Sequence, residues 1–178
     1  MTPEQLRQLY EFNRWANRRT LAVCASLSDE QFTRELGSSF PSIRDTLTHH
    51  CGAEWIWHQR LQGRSSEGRP TPSMFPNLAP LRAKLEEIDD QLLEYVSKST
   101  VADLERTLEY KNLEGKEFKS PIWQILQHLA NHGTYHRGQV VTLLRQLGVK
   151  PVSTDLIGFY REQAAAARGS RTAQQASH

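Results

Sequence analysis

Apolar positions recur at helical spacing through most of the chain. In the first segment Leu6, Leu9, Tyr10, Phe12, Asn13, Ala16, Thr20 and Val23 follow a period of ~3.6 residues. This predicts a helix from about Pro3 to Ser26, with Pro3 suited to the first turn. Ser28-Asp29-Glu30 opens a turn or short helix that ends near Gly37. A second long helix is expected from Ser42 to about Gln62, stopping at Gly63. Its start, Ser42-Ile43-Arg44-Asp45, has a cap hydroxyl followed three residues later by a carboxylate, as in a capping box. Leu81, Leu85, Ile88, Leu92 and Val96 form one face of a third helix, from about Leu78 to Lys98. Ser120-Pro121 reads as a cap plus first-turn proline for a fourth helix, which reaches Leu147 and ends at Gly148. A last helix is expected from Ser153 or Thr154 to Ala167.

Two stretches break the helical period. Residues 63–77 are rich in Gly, Pro and Ser, and a loop of that length suits the wall of a site. Leu104, Arg106, Leu108 and Tyr110 alternate, and Lys116-Glu117-Phe118 follows a Gly-containing turn, which predicts a β-hairpin. The expected fold is therefore all-α: a four-helix bundle with a short β-hairpin insertion and a C-terminal helix. It forms a single domain over residues 1–168, followed by a polar, disordered tail over 169–178.

Composition narrows the function. With 22 Lys and Arg against 20 Asp and Glu, the net charge is +2, which gives no electrostatic case for nucleic acid or an anionic membrane. No apolar run approaches the ~18 residues of a membrane span, and the N-terminus lacks a signal core. Cys24 and Cys51 are too few for a disulfide framework and suit buried thiols in a reducing, cytoplasmic setting.

The candidate chemistry lies in His128-Leu129-Ala130-Asn131-His132-Gly133-Thr134-Tyr135-His136. Histidines four apart stand on nearly one face of a helix, and an i, i+4 pair can direct two imidazole nitrogens at one ion. On a wheel with Ile122 at zero, His136 lies about 40° from the apolar line, His132 about 80° and His128 about 120°. His132 and His136 are the better ligand pair, and Gln139 projects close to His132. On the second helix, with Ile43 at zero, His50 sits near the apolar centre and His49 about 120° away, at the edge. Periodicity thus favours His50 as the inward residue, with His49 at an edge like His132; His58 is a weaker candidate. Glu54 is the best inward acid, read as a hydrogen-bonded core residue. Cys51 reads as simply buried. The run from Lys84 to Asp90 reads as a solvated face. Trp15, Trp55, Trp57 and Trp123 read as packing residues, with Trp15, Trp57 and the 63–77 loop as candidate walls of a site.

Several enzyme classes fail on residue type. Position 129 is Leu where HExxH metalloproteases carry Glu, and no GxxxxGK[ST], GxGxxG, GxSxG or di-iron ExxH pair is present.

The chain resembles the DinB/YfiT-like family of metal-binding four-helix bundles. The resemblance runs from about Tyr10 to Tyr160, through YEFNRWANRRTL, FPSIRDTLTHHCGAEWIWHQRL and ILQHLANHGTYHRGQVVTLLRQLG. The last piece, with H-x3-H-R-G-Q and trailing leucines, is the most specific. The family pattern implies three metal ligands at His49, His132 and His136, with His128 as a histidine that does not ligate. It implies one divalent transition metal, zinc or nickel, with open positions. In some wider relatives the reaction is a transfer or isomerisation that uses a low-molecular-weight thiol; two-fold homodimers are common among them. The reading is then a metal-dependent enzyme acting on a small molecule, of thiol S-transferase type. The alternatives are a metal-dependent hydrolase, or a non-catalytic bundle whose metal is structural.

Overall fold

The computed structural model describes residues 1–64, 66–112 and 114–175. Four long helices form the bundle: α1 (Pro3–Cys24), α3 (Ile43–Leu61), α4 (Leu78–Lys98) and α6 (Ile122–Gln146). Two short helices, α2 (Asp29–Thr33) and α5 (Val101–Glu105), lie in connections, a 3-10 turn spans Pro72–Met74, and α7 (Leu156–Gln175) follows the bundle. The hairpin pairs β1 (Thr107–Lys111) with β2 (Glu117–Pro121) antiparallel, Glu109 opposite Lys119.

Around the bundle the principal contacts run α1–α4, α4–α3, α3–α6 and α6–α1. Helices consecutive in the chain therefore stand diagonally at α1/α3 and α4/α6. Each diagonal needs a crossing connection, supplied by α2 with the segment up to Ser42 and by α5 with the hairpin. The core between them includes Leu6, Leu21, Ile43, Leu81, Leu85, Ile88, Leu92, Leu126 and Leu144, all essentially fully buried. Each such side chain contributes roughly 1.5–3 kcal/mol through loss of apolar surface to water.

Local signals act largely as the sequence suggests. Thr2 and Gln5 close a capping box on α1, with Pro3 in its first turn. Gly148 adopts φ +75°, and the Val149 N–H reaches back to Leu144 O at 2.9 Å, a Schellman closure of α6.

Several expectations are corrected. Ser42 caps α3 by accepting from Asp45 N at 3.1 Å, but its hydroxyl also bonds the Asp45 carboxylate, so no reciprocal box forms. Leu104 belongs to α5 rather than to a strand, because Thr100 and Asp103 cap a helical turn there. Ser120 and Pro121 belong to β2; α6 begins without a side-chain cap, and its first amide, Ile122 N–H, donates to Arg106 O at 3.0 Å. The final helix starts later than expected, at Leu156, and its backbone stays helical to Gln175 rather than ending at Ala167. The remainder of the expected tail, 176–178, lies outside the described residues. No helix among the described residues is long and apolar enough to cross a membrane. Cys24 and Cys51 are both free and buried.

Candidate metal centre

Three histidines meet where α3 packs on α6. His132 Nε2 lies 3.3 Å from His49 Nε2 and 3.0 Å from His136 Nε2, and one ligand atom from each ring lies within 4.8 Å of the others. Nitrogens bound tetrahedrally to zinc at its usual bond length stand about 3.3 Å apart. The donor set and its spacing therefore fit a divalent transition metal. His136 Nδ1 is 2.7 Å from Gln139 Oε1. An amide oxygen can only accept, so Nδ1 carries the proton and Nε2 presents its lone pair to the cluster. Gln139 thus orients His136, not His132 as the wheel suggested; a residue three positions on reaches the ring below it in the same helix.

The rings are held neutral. His49 is pushed down to about 4 by burial, then by His136 and the Arg69 cation. His132 is pushed down to about 3 by burial, then by His136, His49 and His128. Burial also lowers His136, against the opposing hydrogen bond it donates to Gln139. Neutral imidazole is the form that ligates a metal. Phe40 stacks on His49 at 4.2 Å between ring centres and meets His136 edge-on at 5.6 Å, covering one side of the cluster. Phe40 has no periodic signature, because it precedes α3 on an irregular segment.

Of the other histidines, His128 is exposed, its ring 5.8 Å from His132 and 6.3 Å from Trp57. His58 is buried and lines a separate cleft with Gln62, Gln91 and Tyr95. His50 is buried as its wheel position required; its ring lies 6.2 Å from that of His132, but its Nε2 is directed to Asn17 Oδ1 at 3.3 Å rather than to the three clustered nitrogens.

His50 belongs to a buried polar network that joins all four long helices. Arg137 of α6, 2% exposed, donates to Asn13 Oδ1 at 2.7 Å and Asn17 Oδ1 at 2.8 Å on α1, and to Thr134 Oγ1 at 2.9 Å. Asn17 Nδ2 donates to both Asp89 carboxylate oxygens on α4 at 3.0 Å. Asn13 Nδ2 donates to Glu54 Oε1 on α3 at 2.8 Å and to Asp89 at 3.3 Å. Burial raises Glu54 well above the usual carboxyl range and Asp89 to about 7. Arg137 is lowered to about 10 by burial and remains a cation at neutral pH.

Asp89 corrects the reading of residues 84–90 as a solvated face: it lies about 40° from Leu85 on the wheel, within the apolar arc. Arg137 lies about 60° from Ile122, also an available signal. Gly133 gives the network room. A Cβ there would stand 2.7 Å from Asn13 Oδ1, 2.9 Å from Arg137 Nη1 and 2.9 Å from His50 Cε1.

Beside the cluster a cleft of about 790 Å³ opens, with His49 in its wall. Trp57, Tyr110, Phe118 and Ile56 supply apolar surface, and Arg69, Pro70, Thr71 and Pro72 bring part of the expected loop wall. Trp15 is not part of it; its ring packs on Phe12 and Phe159, and its Nε1 donates to Glu162 of α7 at 2.9 Å.

Known proteins are similar to this chain. A model of the DinB family matches residues 1–172. "Protein DinB" of Bacillus subtilis (strain 168) is 29% identical over 159 residues, covering 86% of this chain and 91% of its own. The crystal structure of a DinB-like protein from Bacillus cereus ATCC 10987 superposes with a TM-score of 0.63 at 19% identity, over 85% of this chain and 97% of that one. At that identity the superposition establishes the fold alone.

Two outcomes are expected from these contacts. Gly133→Ala should destabilise the protein by roughly 1–3 kcal/mol in urea unfolding, although Ala normally favours a helix interior over Gly by about 1 kcal/mol. A more stable variant would mean that the network yields without cost. In metal-free protein, the ring protons of His49 and His132 should keep neutral-imidazole shifts by NMR down to about pH 5, since both titrate below it. Between pH 6.5 and 4 the unfolded chain takes up these protons first, so the two rings disfavour folding as pH falls. Glu54 and Asp89, raised in the folded state, act in the opposite sense. Ring shifts rather than Tm are therefore the readout, and midpoints near 6.5 would show the rings to be solvated.

Proposed function

The chain belongs to the DinB family, and on that footing we infer that His49, His132 and His136 hold one divalent transition metal, zinc or nickel, in a metal-dependent enzyme of thiol S-transferase type. The observation that carries this reading is the convergence of three neutral Nε2 atoms at ligand spacing, with the His136 tautomer set by Gln139. When bound, such an ion lowers the pKa of a ligated thiol and makes it nucleophilic at neutral pH.

The chain's own residues supply the rest. Phe40 shields one side of the histidines from water, while His49 borders the cleft where a small molecule enters. The engagement of two nearby carboxylates supports a thiol over water as the nucleophile. Asp45 is engaged with Ser42 and Arg44, and Glu54 lies in the buried network, bonded to Asn13. Neither is placed to take a proton from water as a hydrolase base would.

Metal analysis of tag-free protein should give about one equivalent per chain, lost in His132→Ala and His136→Ala and kept in His128→Ala, because two remaining imidazoles hold an ion far more weakly than three. Retention in the first two variants, with loss in the third, would move the site. Incubated with a cellular thiol and a small electrophile, the metal-loaded protein should form the conjugate. The rate should fall to background in His49→Ala and after chelation. Turnover of an ester or amide without thiol would instead support the hydrolase reading.

A further inference from the structure

Three arginines line the cleft beside His49, and they are not equivalent. Arg60 is committed to the fold: its guanidinium donates to Lys111 O at 2.6 Å and lies over Trp57 at 4.7 Å and Tyr110 at 5.2 Å. Arg44 is largely unspent. Among the described residues its buried Nε has no hydrogen-bond partner, and its ionic contact is Asp45 at 3.4 Å, a carboxylate already held by the Ser42 cap. Arg69 is exposed, makes no side-chain hydrogen bond among the described residues, and acts on His49 through its charge. Glu35 and Asp45 are the acidic residues of the wall, Glu35 being exposed and Asp45 engaged. Two guanidinium groups therefore remain with donors to offer. They share the cleft with an apolar wall of Ile56, Trp57, Tyr110 and Phe118, and Phe118 is 38% exposed.

We propose that this cleft binds a small organic anion, a carboxylate on an apolar body, with Arg44 and Arg69 receiving the carboxylate and the Trp57–Tyr110–Phe118 wall receiving the body. Guanidinium donates in a planar fork that matches a carboxylate, and Arg44, with 28% of its side chain exposed, and Arg69 both border the cleft where the anion would arrive. The volume, about 790 Å³, is that of a site for a drug-sized molecule. The proposal rests on the metal-enzyme reading only in one respect: it makes this anion the substrate or thiol partner whose reacting end lies toward His49.

The test compares 2-naphthoate with its neutral isostere 2-naphthamide by titration calorimetry at constant salt. The full-length protein should bind the carboxylate about tenfold more tightly than the amide, the ratio expected of a charge-assisted bidentate contact. Arg69→Gln and Arg44→Gln should each cut that preference several-fold, and the double variant should abolish it. Arg145→Gln, in the separate cleft between α1 and α6, should leave it intact. Arg69 is exposed, so its variant keeps the test open if Arg44→Gln fails to fold. His132→Ala should retain the preference, because the arginines and not the histidines hold the anion. Equal binding of the two probes, no binding of either, or a preference lost in His132→Ala but kept in the arginine double variant would each overturn the proposal. Metal content of the arginine variants separates the outcomes: loss of anion preference at full metal content touches this inference alone, whereas absence of metal from the unmodified protein touches the reading beneath it.

Discussion

The interaction on which the rest of the structure depends is the buried guanidinium of Arg137. A cation inside a bundle is costly to desolvate, and only a dense set of acceptors and countercharges can hold it there. Asn13 and Asn17 supply the acceptors, Glu54 and Asp89 the carboxyl groups, and the two asparagine amides link the carboxylates back to the arginine. Each long helix contributes at least one member. Leucine contacts tolerate sliding by part of a turn; a network of directional hydrogen bonds around one charge does not. It sets the register of the four helices in a way that the apolar core alone would leave loose.

That register carries the candidate metal centre. Two network residues are sequence neighbours of two cluster histidines: His50 follows His49, and Arg137 follows His136. Adjacent residues on a helix diverge by about 100°. With His50 and Arg137 turned into the polar core, His49 and His136 are turned to the seam between α3 and α6, where they meet His132. Gly133 stands between the two layers, its missing side chain letting Asn13, Arg137 and His50 approach the α6 backbone. The network and the cluster are thus two faces of one arrangement, one buried and closed, the other bordering a cleft.

The seam position also explains the chemistry of the histidines. They are buried enough to stay neutral, yet His49 remains in the wall of an open cleft. Phe40 and the 69–72 segment, both on irregular backbone, complete the surroundings. The regular helices supply the geometry of the three histidines, and the connections supply the cover and the entry, a common division between rigid elements and loops.

Much of this was legible in the chain. The period of Leu81, Leu85, Ile88, Leu92 and Val96 defined α4, and the wheel of the last long helix singled out His132 and His136. Both signals are local, because a helix brings residues three and four apart to one face whatever surrounds it. What periodicity could not decide depended on contacts between helices. Periodicity favoured His50 as the inward histidine, and it is buried; but inward toward a polar network is not inward toward a cluster, and only the packing of α3 against α1 and α6 separates the two. Asp89 looked like one charge in a solvated run, although its wheel position lay within the apolar arc; its partners, Asn13 and Asn17, are on another helix. Trp15 and Trp57 are equal as aromatic residues, yet one packs on α7 and the other faces the cleft, a difference set by which neighbour each helix face meets. The sequence by itself determined the helices and the histidine pair, through interactions that act within a few residues. The tertiary structure decided how His49, implied by the family pattern but not by periodicity, meets that pair, and it decided the buried network and the cleft, because a desolvated charge and a converging set of nitrogens exist only once distant segments are brought together.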